Sequence, residues 1–199
     1  MRRLISLLII FSFLSGCSIL KTMENISRLK YKIHSALDYK ILGIDVKGKK
    51  SIKDFNSIEM LKLTSGLLKG TLPLTFTLNI EAKNPNDGSG GYPRTDLTLE
   101  SFPYKLFVNE KEIITGNISQ PLNVPGIGES TLIKLNIEFD LAKSVKEKSL
   151  DDVLSLLLNL GGLGGSTSNL KLLVKPVVGT PIGSINYPNE ITIVDKTFN

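Results

Sequence analysis

The chain has 199 residues, with 24 Lys or Arg against 19 Asp or Glu, one His, one Cys and no Trp, for a formal charge of +5. The lysines are scattered and aromatics are few, which excludes the basic, aromatic-interleaved surface of a nucleic-acid binder. A lone cysteine excludes an internal disulfide, and one histidine leaves too few ligands for a His/Cys zinc site, so no metal or cofactor is expected.

The chain opens with Arg2 and Arg3, then an apolar run from Leu4 to Leu14, then Ser15, Gly16 and Cys17. That run is too short to span a bilayer as a stable helix. The order of charge, apolar run, small residues and cysteine resembles the lipobox of bacterial lipoproteins. The resemblance implies cleavage after residue 16 and acylation of Cys17, leaving a mature chain of 183 residues with a charge of +3. It also implies a membrane partner, reached through the N-terminal acyl chains. Ser18 rather than Asp follows the cysteine, which in Gram-negative lipoproteins looks like permission for outer-membrane sorting, facing the periplasm.

Residues 17–37 read as a lipidated tether. Ile19, Met23, Ile26, Ile33 and Leu37 recur at steps of four and three, the spacing of one helical face; a loosely ordered stalk is the alternative. Lys47, Lys49, Lys50 and Lys53 then form a basic knot, either a solvated turn or a contact for anionic headgroups.

From residue 38 onward the apolar period becomes two. Leu72, Leu74, Phe76, Leu78, Ile80 and Ala82 alternate with polar residues or Pro73, and Ile133, Leu135, Ile137, Phe139 and Leu141 do the same. Strand side chains point alternately to opposite faces, so each run predicts a strand with one buried and one wet face. Shorter alternations begin near Leu42, Leu97, Tyr104, Leu170 and Ile191. Half-wet strands belong to antiparallel sheets. Seven to eight of them predict an all-β, immunoglobulin- or fibronectin-III-like antiparallel sandwich over 38–199.

One short apolar helix is expected within it, capped by Ser149 and ended by Gly161. Its Leu150, Leu154, Leu156, Leu157, Leu158 and Leu160, with Leu163 beyond, surround it on nearly every face. These residues are a candidate apolar contact site for a lipid-like ligand or an envelope protein partner; a helix that plugs one end of the sandwich is the alternative. The glycines after the helix do not form a P-loop, since no strand precedes them and no suitably placed lysine follows.

No catalytic constellation is visible. His34 is the only histidine and falls in the expected tether, and the Asp151-Asp152 pair suits a helix N-terminus. A non-catalytic role is therefore expected.

Asn84-Pro85-Asn86 closes the first clean strand, followed by Phe107-Val108-Asn109, Gly116, the Pro121–Ser130 loop and the second clean strand. Pro85 pushes Asn84 toward an extended backbone, and Asn86 is suited to a left-handed turn. In this order the set resembles the water-stress and hypersensitive-response domain, also called late embryogenesis abundant type 2. Glu110 departs from that pattern, standing where the family usually has a hairpin glycine. The resemblance implies a β-sandwich, no catalytic residues and a role in desiccation or envelope stress. Asn84, Pro85 and Asn86 carry over as fold-defining positions. The competing functions are a carrier of an apolar ligand and an accessory subunit of an envelope complex.

Overall fold

A computed structural model describes residues 24–108, 111–144, 168–180 and 183–198. A helical turn over residues 24–27 (α1) leads into β1 (Lys30–Ile41), which pairs with β2 (Ile44–Asp45). Leu42 and Gly43, with φ of 50° and 76°, make the hairpin between them, both residues in the left-handed region that primed turns require. An α-helix (α2, Ser57–Lys69) follows, then β3 (Pro73–Lys83). Next come β4 (Leu97–Ser101), β5 (Tyr104–Val108), β6 (Lys111–Gly116), β7 (Leu122–Val124), β8 (Ser130–Asp140) and the single turn α3 (Leu141–Ser144). The last four strands are β9 (Ser168–Val174), β10 (Val177–Thr180), β11 (Gly183–Asn186) and β12 (Ile191–Phe198).

The fold is an all-β antiparallel sandwich. One layer has the order β2-β1-β3-β8. Its centre is the unbroken β3/β8 ladder, running from Pro73↔Asp140 to Lys83↔Ser130. Two further four-stranded sheets, β11-β10-β4-β7 and β12-β9-β5-β6, are joined through the β4–β5 and β9–β10 connections, and the chain bends between them. Ser101 pairs with Val177 before the bend and Tyr104 with Val174 after it, so Phe102-Pro103 lies opposite Lys175-Pro176. Proline has no N–H to give a ladder, and here both central strands carry one at the same level. Lys175 N–H donates to the Pro103 carbonyl and Tyr187 N–H to the Pro176 carbonyl, both at 3.0 Å, which carries the chain across the break. The Asn117 carboxamide oxygen accepts from Phe102 N–H at 2.6 Å and Ile118 N–H at 2.8 Å on the outer strand. Among the described residues there are twelve strands in three antiparallel sheets, more and shorter than the seven to eight that the sequence periodicity leads one to expect.

The alternation of β3 and β8 holds on the core side. Leu74, Phe76, Leu78, Ile80 and Ala82 are buried, as are Ile133, Leu135, Ile137 and Phe139, while Lys134, Asn136 and Glu138 are exposed. Asn79 breaks the pattern: it is buried on the supposedly wet face, where its amide donates to Ser35 Oγ at 2.9 Å.

The tether expectation is corrected from residue 24 on. Asn25, Ile26 and Leu29 are buried, and residues 30–37 belong to β1, paired with β3 at the centre of a sheet. The three-four spacing misled because β1 is bulged between Ile33 and Ser35 and between Leu37 and Lys40, and each bulge shifts the strand's period. Residues 1–23 and the expected helix at 149–161 lie outside the described residues, as does Glu110.

Leu78 sits at 0% exposure midway along β3, opposite Leu135. Leu78→Ala should cost about 2–5 kcal/mol in denaturant-induced unfolding, by lost transfer energy and the cavity left behind. Asn136→Ala, on the exposed face of β8, should change stability by no more than about 0.5 kcal/mol.

Candidate functional sites at the two ends

At the end where the chain enters, Asn84 and Asn86 form a buried polar node. Both are at 0% exposure, so every polar atom they carry needs a protein partner. The Asn84 amide donates to the Thr95 carbonyl at 2.8 Å and the Val124 carbonyl at 2.9 Å. Its carboxamide oxygen accepts from Asn86 N–H at 3.1 Å and from the Asn86 amide at 2.9 Å. The Asn86 amide also donates to the Asn25 carbonyl at 2.8 Å, and its oxygen accepts from the Arg28 guanidinium at 2.9 Å. Arg28 lies 3.6 Å from the centroid of the Tyr92 ring, and the Tyr92 hydroxyl donates to Glu24 at 2.8 Å. Residues 24–29 are thereby clamped to the loop after β3.

Gly126 is required beside this node. A Cβ there would stand 2.3 Å from the Asn86 carbonyl oxygen and 2.6 Å from that of Thr95, both backbone atoms that cannot swing away. The expected left-handed turn at Asn86 is corrected: among the described residues only Asp38 and Leu42 pair a side chain with positive φ. Asn86 is at this position for the bonds its side chain makes.

The opposite end carries α2. Asn56 Oδ1 accepts from Glu59 N–H while Glu59 Oε2 accepts from Asn56 N–H, both at 2.9 Å, a reciprocal cap on the first turn. Gly70, at φ 68°, ends the helix. Leu63 and Gly66 face the core, and Gly66 has no room for a side chain against Leu42 and Leu72. The outward side is apolar too. Ile58, Leu61 and Leu68 are 70%, 71% and 85% exposed. With Ser65 they fall at steps of three, four and three, which lines them up along one helical face. Lys62 and Lys69 flank that ridge on one side. A groove of about 440 Å³ runs beside it, lined by Leu42, Leu61, Lys62, Ser65, Lys69 and Thr71.

Glu59, the helix's only acid, is held below its usual range, chiefly by the bond from Lys49 at 2.8 Å. Sequence reasoning missed this helix. Its signals were Asn56-x-x-Glu59 and Gly70, a capping box and a C-terminal glycine that bracket thirteen helical residues.

The remaining residues read as candidates are dispersed. His34 lies in β1, not in a tether, with Nδ1 3.7 Å from Glu81. Lys32 pairs with Glu81 at 2.9 Å, and Ser130 Oγ donates to it at 2.6 Å. These bonds, from Ser130 first and Lys32 second, hold the Glu81 carboxyl below its usual range. The hydroxyl gives its proton to a carboxylate rather than to the imidazole, so this trio is not the serine–histidine relay that makes a nucleophile. Among the described residues no group of three His, Cys, Asp or Glu is placed to hold a metal ion, and no helix is long and apolar enough to cross a membrane. An open groove of about 810 Å³ lies at the sheet bend, crossed by the Lys105–Glu190 ion pair at 2.7 Å. Cys17 and the leucines from Leu150 to Leu163 lie outside the described residues.

No protein-family model matches the chain, and no curated protein matches it. Among solved structures it is similar to a protein from Archaeoglobus fulgidus, at 10% identity and TM-score 0.34, covering 83% of this chain and 98% of that one. It is similar at 13% identity and TM-score 0.38 to a protein provisionally described as late embryogenesis abundant, covering 94% of this chain and 84% of that one. A third, from Arabidopsis thaliana, shares 12% identity at TM-score 0.35, covering 60% of this chain and 67% of that one.

Asn84→Ala would strand the Thr95 and Val124 carbonyls and the Asn86 donors in a dry site. Its expected cost is roughly 3 kcal/mol or more in denaturant unfolding, with Gly126→Ala comparably damaging. The same end also sets an alkaline limit. The Tyr187 hydroxyl donates to the Ile26 carbonyl, and burial pushes its phenol from 10.0 up to about 12. Burial likewise raises Tyr31 and Tyr39 well above the ordinary range. Below pH 10 both folded and unfolded chains hold these protons. Above it the unfolded chain releases them first, so stability falls as pH rises from about 10 through 12. Tyrosinate absorbance should therefore rise together with loss of fold. Independent, earlier ionisation of all five tyrosines would contradict this packing.

Proposed function

We propose that the chain is a non-catalytic, lipid-anchored module of the bacterial cell envelope, of the late embryogenesis abundant type 2 kind. It is held at the membrane through acylated Cys17, and it works by binding through the outward ridge of α2. The observation that supports this most is the polarity of the molecule. The chain enters at a polar, tightly bonded end, and the exposed apolar ridge stands at the other. β1 runs between them for 12 residues, about 40 Å at ~3.3 Å per residue. Only six residues separate Cys17 from Glu24, the first clamped contact, so the body sits close to its anchor. The order Asn-Pro-Asn, Gly116 and the proline loop supports the family reading, and the sandwich is the fold that reading implies.

Cys17→Ser should leave the precursor uncleaved or release the product from membranes. Each buried CH₂ of an acyl chain contributes roughly 0.8 kcal/mol, so the intact anchor should hold at high salt. Normal processing and salt-resistant membrane fractionation of the variant would overturn the lipoprotein reading.

A further inference from the structure

The ridge on α2 calls for a partner of definite chemistry. Ile58, Leu61 and Leu68 lie on the side of the helix away from buried Leu63 and are 70%, 71% and 85% exposed, so the core does not need them. Isolated exposed leucines are ordinary; a line of them along three turns marks a contact surface. The charges beside it narrow the choice. Lys62 and Lys69 lie seven residues apart, two turns, and therefore share one flank, while Ser57 and Thr64 occupy the other. An antiparallel pairing of two copies brings like flanks together, setting lysine against lysine. The loop leading into the same helix exposes Lys47, Lys50 and Lys53 against Asp45 and Asp54, and the one acid of the helix is already paired with Lys49. An apolar ridge set in a basic surface suits an anionic partner that also accepts hydrocarbon.

We propose that the outward face of α2 docks on an anionic lipid surface. Ile58, Leu61 and Leu68 enter the boundary between headgroups and acyl chains, and Lys62 and Lys69 lie at the headgroup phosphates. Helices of this kind lie in the interface plane, and basic residues near an anionic leaflet add to the attraction. The proposal rests on the binding role given above and names its partner.

The chain contains no tryptophan, so Leu61→Trp in the full-length protein places a single reporter on the ridge. The protein is added to vesicles of phosphatidylglycerol with brominated acyl chains, and to matched phosphatidylcholine vesicles. The expected result is a shift of emission to shorter wavelength with bromine quenching in the anionic vesicles. Both effects should be lost with phosphatidylcholine and in the added Lys62→Glu/Lys69→Glu background. Unquenched emission in anionic vesicles overturns the proposal. So does emission already shifted before vesicles are added: if independent of concentration, another part of the chain covers the ridge, and if concentration-dependent, a second copy does. Circular dichroism melting of each variant shows whether it is folded, and a variant that fails is replaced by Leu68→Trp. Cys17→Ser run in parallel separates the two readings. If the anchor is wrong, its flotation equals that of the parent while the quenching persists.

Discussion

The buried bond network of Asn84 and Asn86 is the constraint on which the entry end of this protein depends. Two carboxamides at zero exposure cannot be left half-satisfied, because an unpaired polar group away from water costs free energy comparable to several ordinary contacts. They therefore dictate where the Thr95 and Val124 carbonyls, the Asn25 carbonyl and the Arg28 guanidinium must be. Those groups come from three segments of the chain, residues 25–28, Thr95 and Val124. The network closes only when the sandwich has formed, so it ties the lead-in of the chain to the completed fold.

A second constraint shapes the other layer. Pro103 and Pro176 remove ladder donors from neighbouring strands at one level, and there the chain bends from one four-stranded sheet into the next. Phe102, wholly buried beside Pro103, packs its ring 5.5 Å from that of Tyr31 on β1 and so pins the bend to the opposing layer. The result is an elongated body with distinct ends. One end is closed by hydrogen bonds. The other is closed by α2, whose inner face completes the core and whose outer face is free for a different solvent.

This division bears on function more than any single residue does. Glu81, the acid nearest to His34, is occupied by Lys32 and Ser130. The polar side chains that are buried are engaged in holding the fold. Among the described residues, the outward side of α2 exposes Ile58, Leu61 and Leu68 beside Lys62 and Lys69.

Periodicity by itself determined the strands that alternate cleanly. Residues 73–83 and 130–140 each bury one face of a regular ladder, and period two survives wherever a strand has no bulge. The Asn84-Pro85-Asn86 turn was legible as well, although its purpose was misread as backbone conformation. β1 was not legible, because two bulges and a positive φ at Asp38 scramble its register and imitate a helical stripe. Helix α2 was announced by its caps but hidden by its composition: leucines on two faces give no amphipathic contrast. Which of those faces is buried was decided by Leu42 and Leu72 closing on Gly66, contacts made by residues outside the helix. Local pattern determines what depends on neighbours along the chain. The polar node, the bend and the exposed ridge depend on which distant segments meet, and only the tertiary structure decides that.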